Sequence, residues 1–237
     1  MTLRLSEVYL SIQGEGPRVG RPTVFVRFGG CNLRCPGWPC DTPHAIFPKE
    51  FRKEWKKVEP DDVYREILEA AKGLEWFNVC YTGGEPFLQK HEDLAELTEL
   101  LRGNDRVEYI ECFSNGTLEY PQWALDAVAF VIDWKLPGSG EYMVGEEERL
   151  KNADRMIPYA WMNAVKFTIA SRADYEAARQ IYWNTLKPTD FMIFYGIVWN
   201  KNVTNSTLIG WVLEDKLPWI FTMQAHNHVW DRKKRGI

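Results

Sequence analysis

A chain of 237 residues is long enough for one sizeable domain with its own core. Hydrophobic residues make up 45% and charged residues 26%, the mix of a folded globular protein. A formal charge of −4 and a sequence pI of about 5.7 exclude a global basic footprint for nucleic acid, and no apolar run reaches membrane-spanning length. The start, Met1 to Arg4, opens towards a strand pattern without a signal peptide. Three of the five cysteines are clustered, which fits metal binding in a reducing cytoplasm better than a disulfide framework. Eleven tryptophans predict a well-filled aromatic core or aromatic-lined surfaces.

Residues 4–10 alternate as a strand does, and the loop Ser11-Ile12-Gln13-Gly14-Glu15-Gly16-Pro17 follows. That loop is either a plain hairpin connection or a binding loop, with Gln13 and Glu15 offering hydrogen bonds and Gly14 permitting close backbone approach. The next strand, at 23–28, carries Arg27 among apolar residues. A buried arginine needs an anion, which is either an internal carboxylate such as Glu15 or a ligand's. After the cysteine-rich segment, residues 49–59 read as charged and irregular. A helix is predicted at 60–73, opened by Pro60 and Asp61, with Val63, Ile67, Leu68 and Ala71 as its apolar stripe. The strand at 76–81 ends in Thr82-Gly83-Gly84-Glu85-Pro86. Helices are then predicted at 91–102, 121–127, 146–157, 172–186 and 205–215. They alternate with strands at 107–113, 130–134, 164–169, 191–199 and 218–224.

Such alternation predicts βαβ units and a parallel sheet in one domain spanning 1–237. Units in this number can curl into a barrel or part of one, with functional loops at the C-terminal ends of the strands. The cysteine loop at 29–42, Thr82–Pro86, Ser114–Gly116 and Asp133–Gly140 all fall at such ends and are expected to converge on one mouth.

The cysteine loop reads Gly29-Gly30-Cys31-Asn32-Leu33-Arg34-Cys35-Pro36-Gly37-Trp38-Pro39-Cys40-Asp41-Thr42. Three thiolates fit an iron–sulfur cluster with one iron left open for a ligand. Cys31, Cys35, Cys40 and His44 fit a closed Cys3His zinc site equally well on spacing alone, and three unrelated buried cysteines are a further reading. Gly83-Gly84-Glu85-Pro86 exposes backbone to a ligand, although a tight βα turn explains it as well. Cys80 and Cys112 lie in strands and read as core residues.

The cysteine loop and the Gly83–Pro86 turn together resemble the radical S-adenosylmethionine superfamily. Further matches narrow this to the 7-carboxy-7-deazaguanine synthases. They are Ser11 to Gly16, Gly20 to Pro22, Val26 to Leu33, Cys40 to Thr42, Thr82 to Pro86, Lys135 to Gly140, and the tail with Gln224, Ala225, His226, Trp230 and Arg235 to Ile237. The resemblance implies an α/β fold, an abridged (partial) β/α barrel of the radical SAM type, usually as a homodimer. It implies conversion of 6-carboxy-5,6,7,8-tetrahydropterin to 7-carboxy-7-deazaguanine with loss of ammonia, in 7-deazapurine biosynthesis of the queuosine type. The implied cofactors are a [4Fe-4S] cluster, S-adenosyl-L-methionine as the source of a 5′-deoxyadenosyl radical, and Mg2+; the implied electron donor is a flavodoxin-like reductant.

By the same resemblance Cys31, Cys35 and Cys40 hold the cluster and Thr42 supplies an oxygen to Mg2+. Pro39, Cys40, Asp41, Gly84, Glu85, Ser114, Asp133, Trp134 and Lys135 line S-adenosylmethionine. Ile12, Gln13, Gly14, Glu15, Arg27, Thr82 and Ile237 contact the pterin. Two departures stand out: Gly37-Trp38 is inserted before the last cysteine, and Asn227 stands where a lysine is common. Two rival readings stay open. One is a glycyl-radical activating enzyme, with a similar cysteine loop. The other is a zinc nucleic-acid-binding module, whose basic face could draw only on Arg232-Lys233-Lys234-Arg235.

Overall fold

The computed structural model describes residues 2–38, 40–46, 54–199, 202–230 and 236. Its strands are β1 (Leu3–Ile12), β2 (Pro22–Phe28), β3 (Lys56–Val58), β4 (Phe77–Gly83), β5 (Val107–Ser114), β6 (Ala129–Trp134), β7 (Ala164–Ile169), β8 (Met192–Ile197) and β9 (Ile220–Phe221). They form a single sheet in the order β3-β1-β2-β4-β5-β6-β7-β8-β9. β1 pairs antiparallel with both β2 and β3. From β2 through β4 to β9 every pairing is parallel. The sheet runs from edge to edge without closing, as a partial barrel does.

Helices connect the parallel strands because their sequences carry start signals and apolar stripes. Pro60–Ala70 begins with proline at its first turn, followed by Asp61 and Asp62, and buries Val63 and Ile67. His91–Arg102 buries Leu94, Leu97 and Leu101 on one side. Arg172–Ile181 is capped by Ser171, whose hydroxyl accepts from the Asp174 amide at 3.1 Å. Asn205–Glu214 is capped in the same way by Thr204.

The period-two alternation of the strands gives the sheet two unlike faces. One face carries Val24, Val26, Phe28, Val79, Tyr81, Phe130, Ile132, Trp134, Val165 and Phe167 into the large core beneath the helices. The other, inner face carries a separate small apolar cluster of Val131, Ala164 and Phe194, with Phe113 and Met192 against it. Elsewhere that face is polar, with Arg27 beside Thr82, Cys80 beside Glu111 and Asp133 beside Lys166. A polar inner face enclosed by an apolar outer one marks where a hydrophilic ligand can sit.

Three elements differ from the sequence reading. Residues 56–58 of the segment read as irregular form β3, because Val58 pairs with Leu3 and turns inward while Lys56 and Lys57 face solvent. The helix expected to reach 186 stops at Ile181 and widens into a π-turn over Tyr182–Leu186. The last strand is only Ile220–Phe221, because Pro218 lacks an amide for the ladder and the chain leaves β8 after Thr222, whose amide donates to Tyr195 O at 2.9 Å.

Candidate active site

The cysteine loop begins where β2 ends and is fastened on several sides. Gly29 N donates to Arg4 O at 2.8 Å, Gly30 N to Ala45 O at 2.7 Å and Gly37 N to Ser139 O at 3.1 Å. The Gly83–Pro86 turn docks directly on it: Gly84 N donates to Phe28 O at 3.1 Å and Glu85 N to Gly30 O at 2.8 Å. Glycine is required here, since a Cβ on Gly84 would overlap the Gly30 carbonyl, and Gly30 and Gly83 have φ of +103° and +117°. Cys35, with φ +45°, takes the left-handed bend that turns the loop back.

All three loop thiols are free and half-buried. Burial pushes the Cys31 thiol up to about 11, eased by the Leu33 amide that donates to its Sγ at 3.4 Å. Burial also raises Cys35 and Cys40, and the Lys135 ammonium pulls all three the other way. A nearby cation and a partly open loop suit thiols that must give up protons to metal. Asn115 Nδ2 approaches Cys31 Sγ at 3.9 Å. Among the described residues no three His, Cys, Asp or Glu side chains close on a single-ion site. His44 Nε2 lies 3.1 Å from Glu7 Oε1 instead of turning to the cysteines. Ligands spread around a loop fit a four-iron cube better than one tetrahedral ion.

The other loops at the C-terminal strand ends meet at this mouth as expected. The Glu85 carboxylate is fully buried and accepts from Ser114 Oγ at 2.9 Å, Asn115 N at 2.8 Å and Phe87 N at 3.2 Å. Burial raises its pKa to about 7 against the pull of these bonds. Glu85 and Ser114 therefore clamp β4 to β5, and the Gly84 backbone faces the cysteine loop. Lys135 Nζ pairs with Asp133 Oδ2 at 3.0 Å and lies 5.6 Å from the Trp38 ring. Burial would lower the Lys135 pKa, but Asp133 and Cys35 outweigh it and hold the ammonium charged. The inserted Trp38 packs inward, buried against the core. Trp134 turns to the helix side of the sheet under Arg149, so its side chain is away from this mouth. Asp41 is exposed on the loop. Thr42 Oγ1 donates to Gly83 O at 3.3 Å and lies 3.6 Å from Cys40 Sγ. Two neighbouring oxygens of this kind are donors a hard cation takes.

The Gln13–Glu15 loop enters from the opposite end of the sheet. Ile12 pairs with Pro22 at the start of β2, far along the strand from Phe28. Ile12 lines a cavity of about 410 Å³ at that end, with Leu10, Ser11, Pro22, Trp230 and Gly236. From there the loop runs over the inner face, where a Cβ on Gly16 would lie 3.3 Å from Phe113 and 3.7 Å from Val131. Gln13 Nε2 donates to Glu111 Oε1, and Glu15 Oε2 pairs with Lys166 Nζ. Gln224 Nε2 donates to Glu15 Oε1 at 3.3 Å, and Ala225 N to Gly14 O at 3.1 Å. Burial raises the Glu111 pKa to about 7.

Arg27 sits beside Thr82 but is already paired. Its Nε donates to Glu7 Oε1 at 2.7 Å and an Nη to Tyr9 OH at 2.7 Å. The partner considered from sequence, Glu15, belongs to Lys166 instead. Glu7, Glu111 and Lys166 were missed. Their one visible signal was a charge inside an apolar alternating strand, the pattern that singled out Arg27. Pro39, Ile237 and the basic run 232–235 lie outside the described residues.

The Radical SAM superfamily model matches residues 25–129, the stretch holding the cysteine loop and the Gly83–Pro86 turn. A 7-carboxy-7-deazaguanine synthase of Koribacter versatilis is 30% identical over 99% of this chain and 100% of its own. One from Clostridium acetobutylicum is also 30% identical, over 100% of both. This chain belongs to the 7-carboxy-7-deazaguanine synthase family. A crystal structure of QueE from Escherichia coli shares the fold of this synthase-family chain, with a TM-score of 0.70 at 22% identity over 95% of each chain. The structure of native anSMEcpe with bound AdoMet is a more distant match, with a TM-score of 0.55 at 18% identity over 80% of this chain and 59% of that one. Membership sets aside the glycyl-radical activase and zinc-module readings. No helix of the described residues is long and apolar enough to cross a membrane.

Proposed function

We propose that this chain converts 6-carboxy-5,6,7,8-tetrahydropterin to 7-carboxy-7-deazaguanine, with loss of ammonia, as a radical S-adenosylmethionine lyase. The observation that carries this reading is the docking of the Gly83–Pro86 turn on the three-cysteine loop, above a polar inner face. Cys31, Cys35 and Cys40 would hold the [4Fe-4S] cluster, which when reduced supplies the electron that cleaves S-adenosylmethionine. The Gly84 backbone, Cys40, Asp41, Ser114, Asp133 and Lys135 bound the cofactor's seat, with the Trp134 backbone continuing it, and the resemblance adds Pro39. Glu85 holds that seat's geometry through Ser114 and Asn115. Its side chain is fully committed to those bonds.

The pterin would lie on the inner face between the two loops. Arg27 directs a guanidinium there for the substrate carboxylate, a planar fork matched to a planar anion. Glu7 and Tyr9 fix its orientation, which lowers the cost of ordering it on binding. Gln13, Gly14 and Glu15 offer hydrogen bonds from the other end, with Thr82 beside Arg27, and the resemblance adds Ile12 and Ile237. Thr42 and a substrate carboxylate would share Mg2+. A flavodoxin-like reductant, a cytoplasmic location and a homodimer complete the proposal. Free, partly exposed thiols suit a reducing compartment.

Anaerobic reconstitution tests the reading. The expected result is a brown protein with about four irons per chain that makes 7-carboxy-7-deazaguanine when given S-adenosylmethionine, Mg2+ and reductant. Cys40→Ala should lose iron and cofactor cleavage while keeping its fold. Thr42→Ala should raise the Mg2+ requirement more than it weakens S-adenosylmethionine binding. A colourless, zinc-loaded wild-type protein sinks the proposal.

A further inference from the structure

Between the two loops that bound the inner face, charged side chains alternate in sign. Gln224 donates to Glu15, Glu15 pairs with Lys166, Lys166 neighbours Asp133 in the β6–β7 register, and Asp133 pairs with Lys135 beside Trp38. Lys166 stands at the centre of this row and is buried, with 8% of its side chain exposed. Its only ion-pair partner among the described residues is Glu15, while Asp133 attracts it from the next strand. The Gln13–Glu15 stretch is also held by Gln13 donating to Glu111 and by Ala225 N donating to Gly14 O.

We infer that Lys166 is a positioning residue, locking the Gln13–Glu15 loop onto β6 and β7 so that the substrate seat keeps a fixed distance from the cofactor seat. The inference rests on the proposed function for what those seats hold, but the lock itself is a matter of geometry. A buried ammonium paired with Glu15 and neighbouring Asp133 favours one arrangement, and its removal leaves the buried Glu15 carboxylate without its cation while Asp133 keeps only Lys135. Radical chemistry needs the substrate carbon held close to the cofactor, so a loosened loop should cost both affinity and coupling.

Hydrogen exchange and kinetics on the reconstituted holoenzyme test this with Lys166→Met and Lys166→Arg. In the Met variant the Gln13 to Gly16 amides should exchange about tenfold faster or more, with Tyr81 and the other β4 amides unchanged. The KM for the pterin should rise by about tenfold or more. A larger share of cleaved S-adenosylmethionine should go uncoupled from product, and Lys166→Arg should restore much of each. Should Lys166→Met fail to fold, Glu15→Gln weakens the same contact from the loop side and should loosen the same amides. Wild-type loop exchange and KM in a folded Lys166→Met variant overturn the inference, as does a fully protected loop in Glu15→Gln. A wild-type protein that makes no 7-carboxy-7-deazaguanine would sink the proposed function alone, since loop exchange still reads the lock.

Discussion

Gly84→Ala attacks the contact that brings the Gly83–Pro86 turn to the cysteine loop. A methyl group there falls well inside 3.0 Å of the carbonyl oxygen and carbon of Gly30, and 3.0 Å from Cys31 N. Both obstacles are backbone, so rotamer changes give no relief. The two strands of the contact must separate by about 1 Å, in a region where overpacking costs ~1–3 kcal/mol. That separation breaks Glu85 N to Gly30 O and Gly84 N to Phe28 O, now 2.8 and 3.1 Å. Each lost bond adds ~1 kcal/mol. The total, ~3–5 kcal/mol, is a large part of a typical folding stability of ~5–15 kcal/mol. For a chain this size ~1 kcal/mol moves Tm by ~2–4 °C, so the cluster-free variant should melt at least ~6 °C lower. Because the strain lands between Gly30 and Cys31, iron loading should fall more steeply than helical content. Iron per chain, far-UV circular dichroism and thermal melting measure the three quantities. A Gly84→Ala protein with wild-type iron content and melting temperature would refute the docking.

Arg27→Lys should still load iron and cleave S-adenosylmethionine slowly but make little product, since an ammonium cannot keep the Glu7 and Tyr9 contacts and present a fork as well. The loss in substrate binding should be ~2–5 kcal/mol, read from kcat/KM, and near-wild-type product formation would remove Arg27 from the site. Glu111 has a folded pKa of about 7 against 4.5, so the folded state prefers its protonated form. The stability this gives is present below pH ~4.5 and is lost as pH rises through ~7, a swing of ~3 kcal/mol. Glu111→Gln should flatten the Tm-against-pH curve over that window and melt higher than wild type at pH 8, and parallel curves would contradict the assignment. Gly210→Ala should stabilise by ~0.5–1 kcal/mol in denaturant unfolding, because Gly210 is within the helix Asn205–Glu214 and a Cβ there meets nothing within 4 Å; a destabilised variant would argue against that helix.

The sequence carried the parts of the site that are local. A strand, a glycine pair and three cysteines are contiguous, so Phe28 to Cys40 could be read as a loop at a strand end without knowing its neighbours. The βα alternation then put Thr82–Pro86, Ser114–Gly116 and Asp133–Gly140 at the same end, where the structure has them. What stayed hidden depends on register across strands. Arg27 was visible as a charge in an apolar run, but only the β1–β2 pairing places Glu7 beside it. Lys166 and Glu111 follow the same alternation, between Val165 and Phe167 and between Ile110 and Cys112, and their partners lie 151 and 98 residues away along the chain. The direction from which Gln13–Glu15 enters was equally illegible, since a loop after an antiparallel strand can fold to either side. Strand β3 escaped because two of its three residues are lysines whose period-two signal is too short to register.

The joining of Gln224 and Ala225 to the Gly14–Glu15 turn ties together segments 209 residues apart. During translation at ~5–20 residues per second, the turn is made ~10–40 seconds before its partners leave the ribosome. Until then the nascent chain holds the Gly14–Glu15 turn and the three thiols without the Gln224 and Ala225 contacts. With the roles proposed above, cluster delivery could precede completion of the substrate seat, and a chain released early would carry the cysteine loop without that seat. Ribosomes stalled before residue 224 offer a direct way to see the two halves of the site mature separately.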